Sequence, residues 1–152
     1  MKNLLFGTLV LAVLLSGCLP SGTTASEIDP NLTPDEVVMA VFTAFQERDE
    51  EAVEMYVSEA GKENMKNLYA AGTAYGYLEA QFGLVRKASE YSAKVVEQSE
   101  EGAVVMLEAK IKYTKPAQEC LIDQRYVLNK TEDGWRLYSI GSTGIKDCKD
   151  MD

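Results

Sequence analysis

Glu79 is the residue in this sequence whose placement most suggests chemistry. At helical spacing it falls in one arc with Leu68, Gly72, Tyr75 and Phe82, where a carboxylate is costly unless partnered. Burial would raise its pKa toward the range a general base needs. A tyrosine hydroxyl or Gln124 is the expected partner. The alternative is that Glu79, near the end of its helix, leans out to water as long side chains do. The chain has no histidine, which removes Ser-His-Asp and Cys-His catalysis, His-bearing zinc sites and the usual near-neutral switch. Acidic residues gather at Glu47, Asp49, Glu50 and Glu51, but without the pattern of a calcium loop. They read as a solvated run that suits a helix N-terminus. No catalytic set, metal site or cofactor is expected. Three cysteines remain, Cys18, Cys120 and Cys148, and they have two different jobs.

The chain is 152 residues long, enough for one domain. It carries 15 basic against 24 acidic residues, a net charge of -9, so nucleic acid is excluded as an expected partner. Lys2 precedes an uncharged apolar run over residues 4–15, followed by Ser16-Gly17-Cys18. The run is shorter than the roughly 20 residues of a membrane span and has the form of an export signal. Leu15-Ser16-Gly17-Cys18 resembles the lipobox of prokaryotic lipoproteins. That resemblance implies a leader over residues 1–17, cleavage before Cys18 and acylation of its sulfur, with palmitate among the chains. Two acyl chains hold a protein stably on a bilayer. The anchor must do this work, because an anionic membrane would repel so acidic a chain. Localisation is therefore expected at the cell envelope, membrane-anchored and extracytoplasmic. Residues 18–32 read as the lipidated cysteine and a flexible tether of roughly 20 Å reach, and residues 33–152 as a single domain.

With Cys18 used by lipid, export leaves Cys120 and Cys148 as an even pair in a disulfide-permissive compartment. A bridge between them is expected. The alternative is one buried and one exposed thiol.

Three helices are expected first. Thr33-Pro34-Asp35-Glu36 is a capping box with proline at the first helical position, and Val37, Val38, Val41, Phe42 and Phe45 follow as an apolar stripe to about Arg48. A second, short helix starts at Asp49-Glu50-Glu51 and reaches about Val57. A third runs from about Lys62 to Phe82 and stops at Gly83.

From residue 84 the apolar period is two. Four strands are readable over residues 89–97, 103–114, 119–130 and 135–142, with a turn at Lys115-Pro116-Ala117-Gln118 and a hairpin at Glu132-Asp133-Gly134. Closing the middle hairpin with Thr114 opposite Glu119 sets Val105 against Leu128, Leu107 against Tyr126, Ala109 against Gln124, Ile111 against Ile122 and Tyr113 against Cys120. On the other face Glu108 meets Arg125 and Lys110 meets Asp123. The first strand then joins with Val95 opposite Val105, Ala93 opposite Leu107 and Tyr91 opposite Ala109. The last joins with Tyr138 opposite Leu128 and Ile140 opposite Tyr126, which turns Trp135 and Leu137 to the other face. Cys120 then lies opposite Lys146, two residues from Cys148, and the tail curls the rest of the way.

The expected class is α+β: three N-terminal helices packed on a curved four-stranded antiparallel meander. The helix from Pro34-Asp35-Glu36-Val37-Val38 to Phe45, the following Arg48-Asp49-Glu50-Glu51-Ala52 and the closing Asp133-Gly134-Trp135-Arg136-Leu137 resemble the nuclear transport factor 2-like superfamily. This is the cone fold shared with ketosteroid isomerase, and the likeness extends to small prokaryotic lipoproteins that carry such a domain. It implies an interior able to hold a small apolar ligand. Tyr91, Tyr113, Tyr126 and Tyr138 would line it with Leu107, and Glu79 and Gln124 would be its polar groups. If the interior is filled, the tyrosines are core residues. The enzymes' catalytic residues have no counterpart here.

The expected function is a non-catalytic small-ligand-binding or protein-interaction domain displayed on a membrane. The alternatives are an isomerase- or dehydratase-like enzyme using Glu79, and an envelope interaction protein that pairs as a homodimer through the sheet face bearing Val104, Met106, Val127 and Trp135.

Overall fold

The computed structural model describes residues 28–151 except residues 69, 70 and 84, and leaves out the side chain of Ser142. The expected leader over residues 1–17 and the expected acylation site Cys18 lie outside the described residues. Among the described residues four α-helices precede the strands: α1 (Pro34–Glu47), α2 (Glu50–Tyr56), α3 (Glu59–Lys66) and α4 (Ala74–Phe82). A 3-10 turn at Val85–Lys87 leads into β1 (Glu90–Gln98), β2 (Gly102–Thr114), β3 (Ala117–Thr131) and β4 (Gly134–Asp150). The strands form one antiparallel sheet in the order β1-β2-β3-β4. The class is α+β, with a curved sheet and the helices packed on it.

The first helix starts where its residue types require. The Glu36 carboxylate accepts from the Thr33 amide at 2.8 Å and from its hydroxyl at 2.9 Å, which satisfies an otherwise orphaned donor. Arg48 ends the helix at φ 63°. Asp49 then caps α2, its Oδ1 accepting from the Ala52 amide at 2.9 Å. Val37, Val38, Val41, Phe42 and Phe45 are all buried against the sheet.

The expected third helix is two helices. Gly72 takes φ +77°, a left-handed conformation that glycine alone adopts cheaply. Its amide bonds Lys66 O at 3.1 Å, and the Thr73 hydroxyl caps α4 by accepting from Gly76 N at 2.9 Å. Gly76 permits this turn, since a Cβ there would lie 2.4 Å from Ala71 O.

The β1–β2 register is the expected one, with Val95 opposite Val105, Ala93 opposite Leu107 and Tyr91 opposite Ala109. The β2–β3 register differs by two residues. Thr114 faces Ala117 across a two-residue turn at Lys115-Pro116, a cis peptide. Val105 therefore faces Tyr126, Leu107 faces Gln124, and Glu108 faces Asp123. A two-residue shift keeps every side chain on its own face, so burial does not distinguish the two registers. The charge partners expected across β2 and β3 are exchanged: Lys110 pairs with Glu90 of β1, and Glu108 and Asp123 are met from β4. Lys146 reaches Glu108 at 3.0 Å and Asp123 at 3.1 Å.

In β4, Ile140 faces Tyr126 as expected, but a bulge sets Leu137, not Tyr138, opposite Leu128. Leu137 and Trp135 therefore belong to the core, and the expected placement of both on the outer face is corrected. The tail does not curl away. It stays paired to Asp150, and two further register shifts place Cys148 directly opposite Cys120, where the two form a disulfide.

The helices are stitched to the sheet at backbone level. Val57 bridges Leu137, Ser58 N donates to Leu137 O at 2.9 Å, and a Cβ on Gly61 would lie 2.6 Å from that same oxygen. Packing begins before Thr33: Leu32 lies against the core, and Pro30 sits on Gly134.

Candidate functional site

Glu79 does not face the interior. It is exposed, and its Oε2 pairs with Arg86 Nη1. The break at Gly72 is the reason. A wheel run without interruption from Lys62 carries its phase through residues 67–73, whereas α4 starts afresh at Thr73. In the resulting phase Ala74, Tyr77, Leu78 and Phe82 point inward, and Leu68 is 39% exposed. Arg86 lies 5.7 Å over the Phe45 ring. Its pKa is raised, first by the hydrogen bond to Glu79. The pair ties α4 to the segment ahead of β1, and no described cleft is lined by Glu79.

Gln124 does lie inside, fully buried. The Tyr126 hydroxyl donates to its Oε1 at 2.6 Å, and its Nε2 donates to Thr143 Oγ1 at 3.1 Å. Each polar group is satisfied by a neighbour of the same sheet face, which is what a buried amide requires. Burial pushes the Tyr126 phenol well above its ordinary range, which keeps it a neutral hydrogen-bond donor to Gln124. Tyr91 packs edge-on to Phe42 with centroids 4.6 Å apart. Tyr113 is half-buried against the core, and Tyr138 is half-buried at the β4 bulge. The structure thus brings Gln124 and Tyr126 into contact but does not gather the four tyrosines and Glu79 around a described cavity.

The outer face of the sheet divides in two. One part is laced by ion pairs: Lys110 with Glu90, Lys112 with Glu119 at 3.8 Å, and Lys146 with Glu108 and Asp123. The Asp123 carboxylate lies so close over Gly144 that a Cβ there would fall 2.2 Å from Oδ1. The other part carries Val104, 8% exposed, with Val127 and Met106 half-buried, Met106 lying between the exposed Lys94 and Arg125.

Two adjoining clefts were not expected from the sequence. They lie where the α2–α3 corner meets the β3–β4 turn, with volumes of about 580 Å³ and 510 Å³, and they share Met55, Asp133 and Arg136. The larger is also lined by Ser58, Glu59, Lys62 and Lys130, and the smaller reaches Ile28 and Pro30. Arg136 is half-buried and donates from Nη1 to Trp135 O at 2.9 Å. Among the described residues no carboxylate meets its guanidinium. Lys130 Nζ lies 5.0 Å over the Trp135 ring. A basic residue alternating with core residues in the closing strand was a visible signal. The opposite wall, some 75 positions away in the chain, was not.

Among the described residues no cluster of three or more His, Cys, Asp or Glu could hold a metal, and no helix is long and apolar enough to cross a membrane. In comparisons with known proteins, no family model and no curated protein matches the chain.

Proposed function

We propose that this chain is an extracytoplasmic lipoprotein, held on the envelope membrane through acylated Cys18, whose nuclear transport factor 2-like domain is a non-catalytic binding and interaction module. The satisfied interior carries the non-catalytic part. Gln124 and Tyr126 are buried and bonded to each other, and the carboxylate that could have served as a base is outside and paired to Arg86. The anchor rests on Leu15-Ser16-Gly17-Cys18 at the end of the apolar run. In a cell that processes lipoproteins, Cys18→Ser should leave an unprocessed or soluble chain. If the variant fractionates with membranes at the wild-type mass, the anchor is refuted. Turnover of any isomerase substrate that Glu79→Gln abolishes would refute the non-catalytic module.

A second occupant follows from the outer sheet face. Val104, Met106 and Val127 adjoin there, and a second copy of the chain set on this patch would make the module a homodimer. Sedimentation across a hundredfold concentration range tests it. A monomer at every concentration, unchanged by Val127→Lys, removes the homodimer and leaves the anchor untouched.

A further inference from the structure

We infer that the double cleft between the α2–α3 corner and the β3–β4 turn binds the headgroup of an amine-bearing phospholipid of the membrane to which the chain is tethered. The inference rests on the proposed acylation of Cys18 for its choice of ligand, but not for the existence of the site.

The cleft offers both signs of charge at fixed positions. Arg136 commits Nη1 to Trp135 O and meets no described carboxylate, so the remaining edge of its guanidinium is open to the oxygens of a phosphate. Lys130, which also lines the larger cleft, lies over the Trp135 ring. Asp133, exposed on the turn, meets no described cation and suits a ligand ammonium. A phosphate alone would leave Asp133 repelled, and an amine alone would leave Arg136 unused. A phosphodiester that also carries an ammonium answers both.

The walls are rigid, which lowers the cost of binding. Val57 and Ser58 are bonded to Leu137, the residue after Arg136. On the other side Gly134 at φ +106° is closely covered by Pro30.

The tether directs the cleft to the bilayer. Ile28 lines it, and ten chain steps separate Ile28 from Cys18. Ten residues span at most about 35 Å in any conformation. An acylated Cys18 therefore keeps this face within reach of headgroups, although the chain's net charge of -9 opposes a purely electrostatic approach to an anionic surface.

The test titrates isotope-labelled full-length protein, in micelles of an uncharged sugar detergent, with glycerophosphoethanolamine, glycerophosphate and ethanolamine. Saturable amide shifts confined to residues 28–31, 55–62 and 129–136 are expected with glycerophosphoethanolamine only. Arg136→Ala should weaken it about tenfold, the effect of losing a charge-assisted hydrogen bond, and Arg136→Lys should restore part of the loss. Asp133→Asn, on an exposed turn that tolerates the change, should weaken glycerophosphoethanolamine and favour glycerophosphate. Equal binding of glycerophosphate, no saturable shift, or shifts indifferent to both Arg136→Ala and Asp133→Asn overturns the site. Cys18→Ser should bind the probe as the wild type does. A membrane-fractionating wild type that fails to bind it refutes the cleft while the anchor stands.

Discussion

Lys146 answers a conflict that two neighbouring strands create. Glu108 and Asp123 stand directly opposite each other, and like charges so placed destabilise a sheet. Lys146 bonds both, and its pKa is raised by those two hydrogen bonds. A raised ammonium pKa means that the contribution is fully present below the ordinary lysine range and is lost as pH rises through the higher folded value. Lys146→Met should therefore lower Tm at neutral pH. The deficit should shrink in high salt, which screens exposed charges. A deficit of the same size at all salt concentrations would show that packing, not charge, is lost. Tyr126 is the other residue with a clear consequence. Tyr126→Phe leaves the buried Gln124 Oε1 without its donor and should cost about 1–3 kcal/mol in urea unfolding. The wild-type phenol has a raised pKa, so its stabilising share is complete below the ordinary tyrosine value near 10 and declines above it. There the wild type should lose about 1.4 kcal/mol per pH unit more than Tyr126→Phe. Unfolding curves between pH 9 and 11.5 that stay parallel for the two proteins would refute this.

At the scale of elements, two glycines hold turns for different reasons. Gly72 takes φ +77°, yet a Cβ there would meet nothing within 4 Å. Gly72→Ala should cost only the backbone strain, about 1 kcal/mol. Gly134 takes φ +106°, and its Cβ would fall 2.7 Å from Pro30 O. Gly134→Ala adds a backbone clash to the strain and should cost clearly more, about 2 kcal/mol or above. Equal losses in chemical denaturation would mean that the Pro30 contact is not part of the native packing. The same turns explain what was legible in the sequence. Gly134 could be assigned from Glu132-Asp133-Gly134, because a hairpin demands a positive φ within the motif itself. Gly72 reads from the sequence as one position on a continuous helix from about Lys62 to Phe82. Gly72-Thr73 is a local stop followed by an N-cap, but the apolar spacing of Tyr75, Leu78 and Phe82 runs on through it, and the break is fixed where α3 docks at Leu137 and Tyr75 of α4 packs on Phe45.

For the whole molecule, the disulfide joins Cys120 to Cys148, 28 positions along the chain. Restricting the unfolded chain by a loop of this size contributes about 3–4 kcal/mol in the chain-entropy model. The double variant Cys120→Ala/Cys148→Ala should unfold at correspondingly lower urea, and the wild type in reductant should match it. An unchanged midpoint would mean that the β3–β4 ribbon holds without its bridge. Acid adds a second global dependence. Lys66 holds the Glu63 carboxyl below its usual value and Lys110 does the same for Glu90. Depressed carboxyl values contribute stability above the unfolded pKa near 4.3 and lose it as pH falls through the folded values. Tm should therefore drop below about pH 4, and Lys110→Met should soften that drop.

What is decided within a few residues was determined by the sequence alone. The capping box before Pro34, the acidic start of α2, the two-residue alternation of the strands, the register of β1 on β2 and the pairing of Cys120 with Cys148 all follow from local residue types or from parity. Tertiary structure decided whatever depends on a third partner. The β2–β3 register shifted by two because both registers bury the same side chains, and Lys146 comes from a strand that a two-strand comparison omits. Leu137 and Trp135 entered the core because a bulge inverts a strand's faces without leaving a mark in its hydropathy. Glu79 turned outward because helical phase does not survive an interruption. The double cleft became visible only when residues 55–62 met residues 129–136, since a site built across the fold has no spacing of its own in the chain.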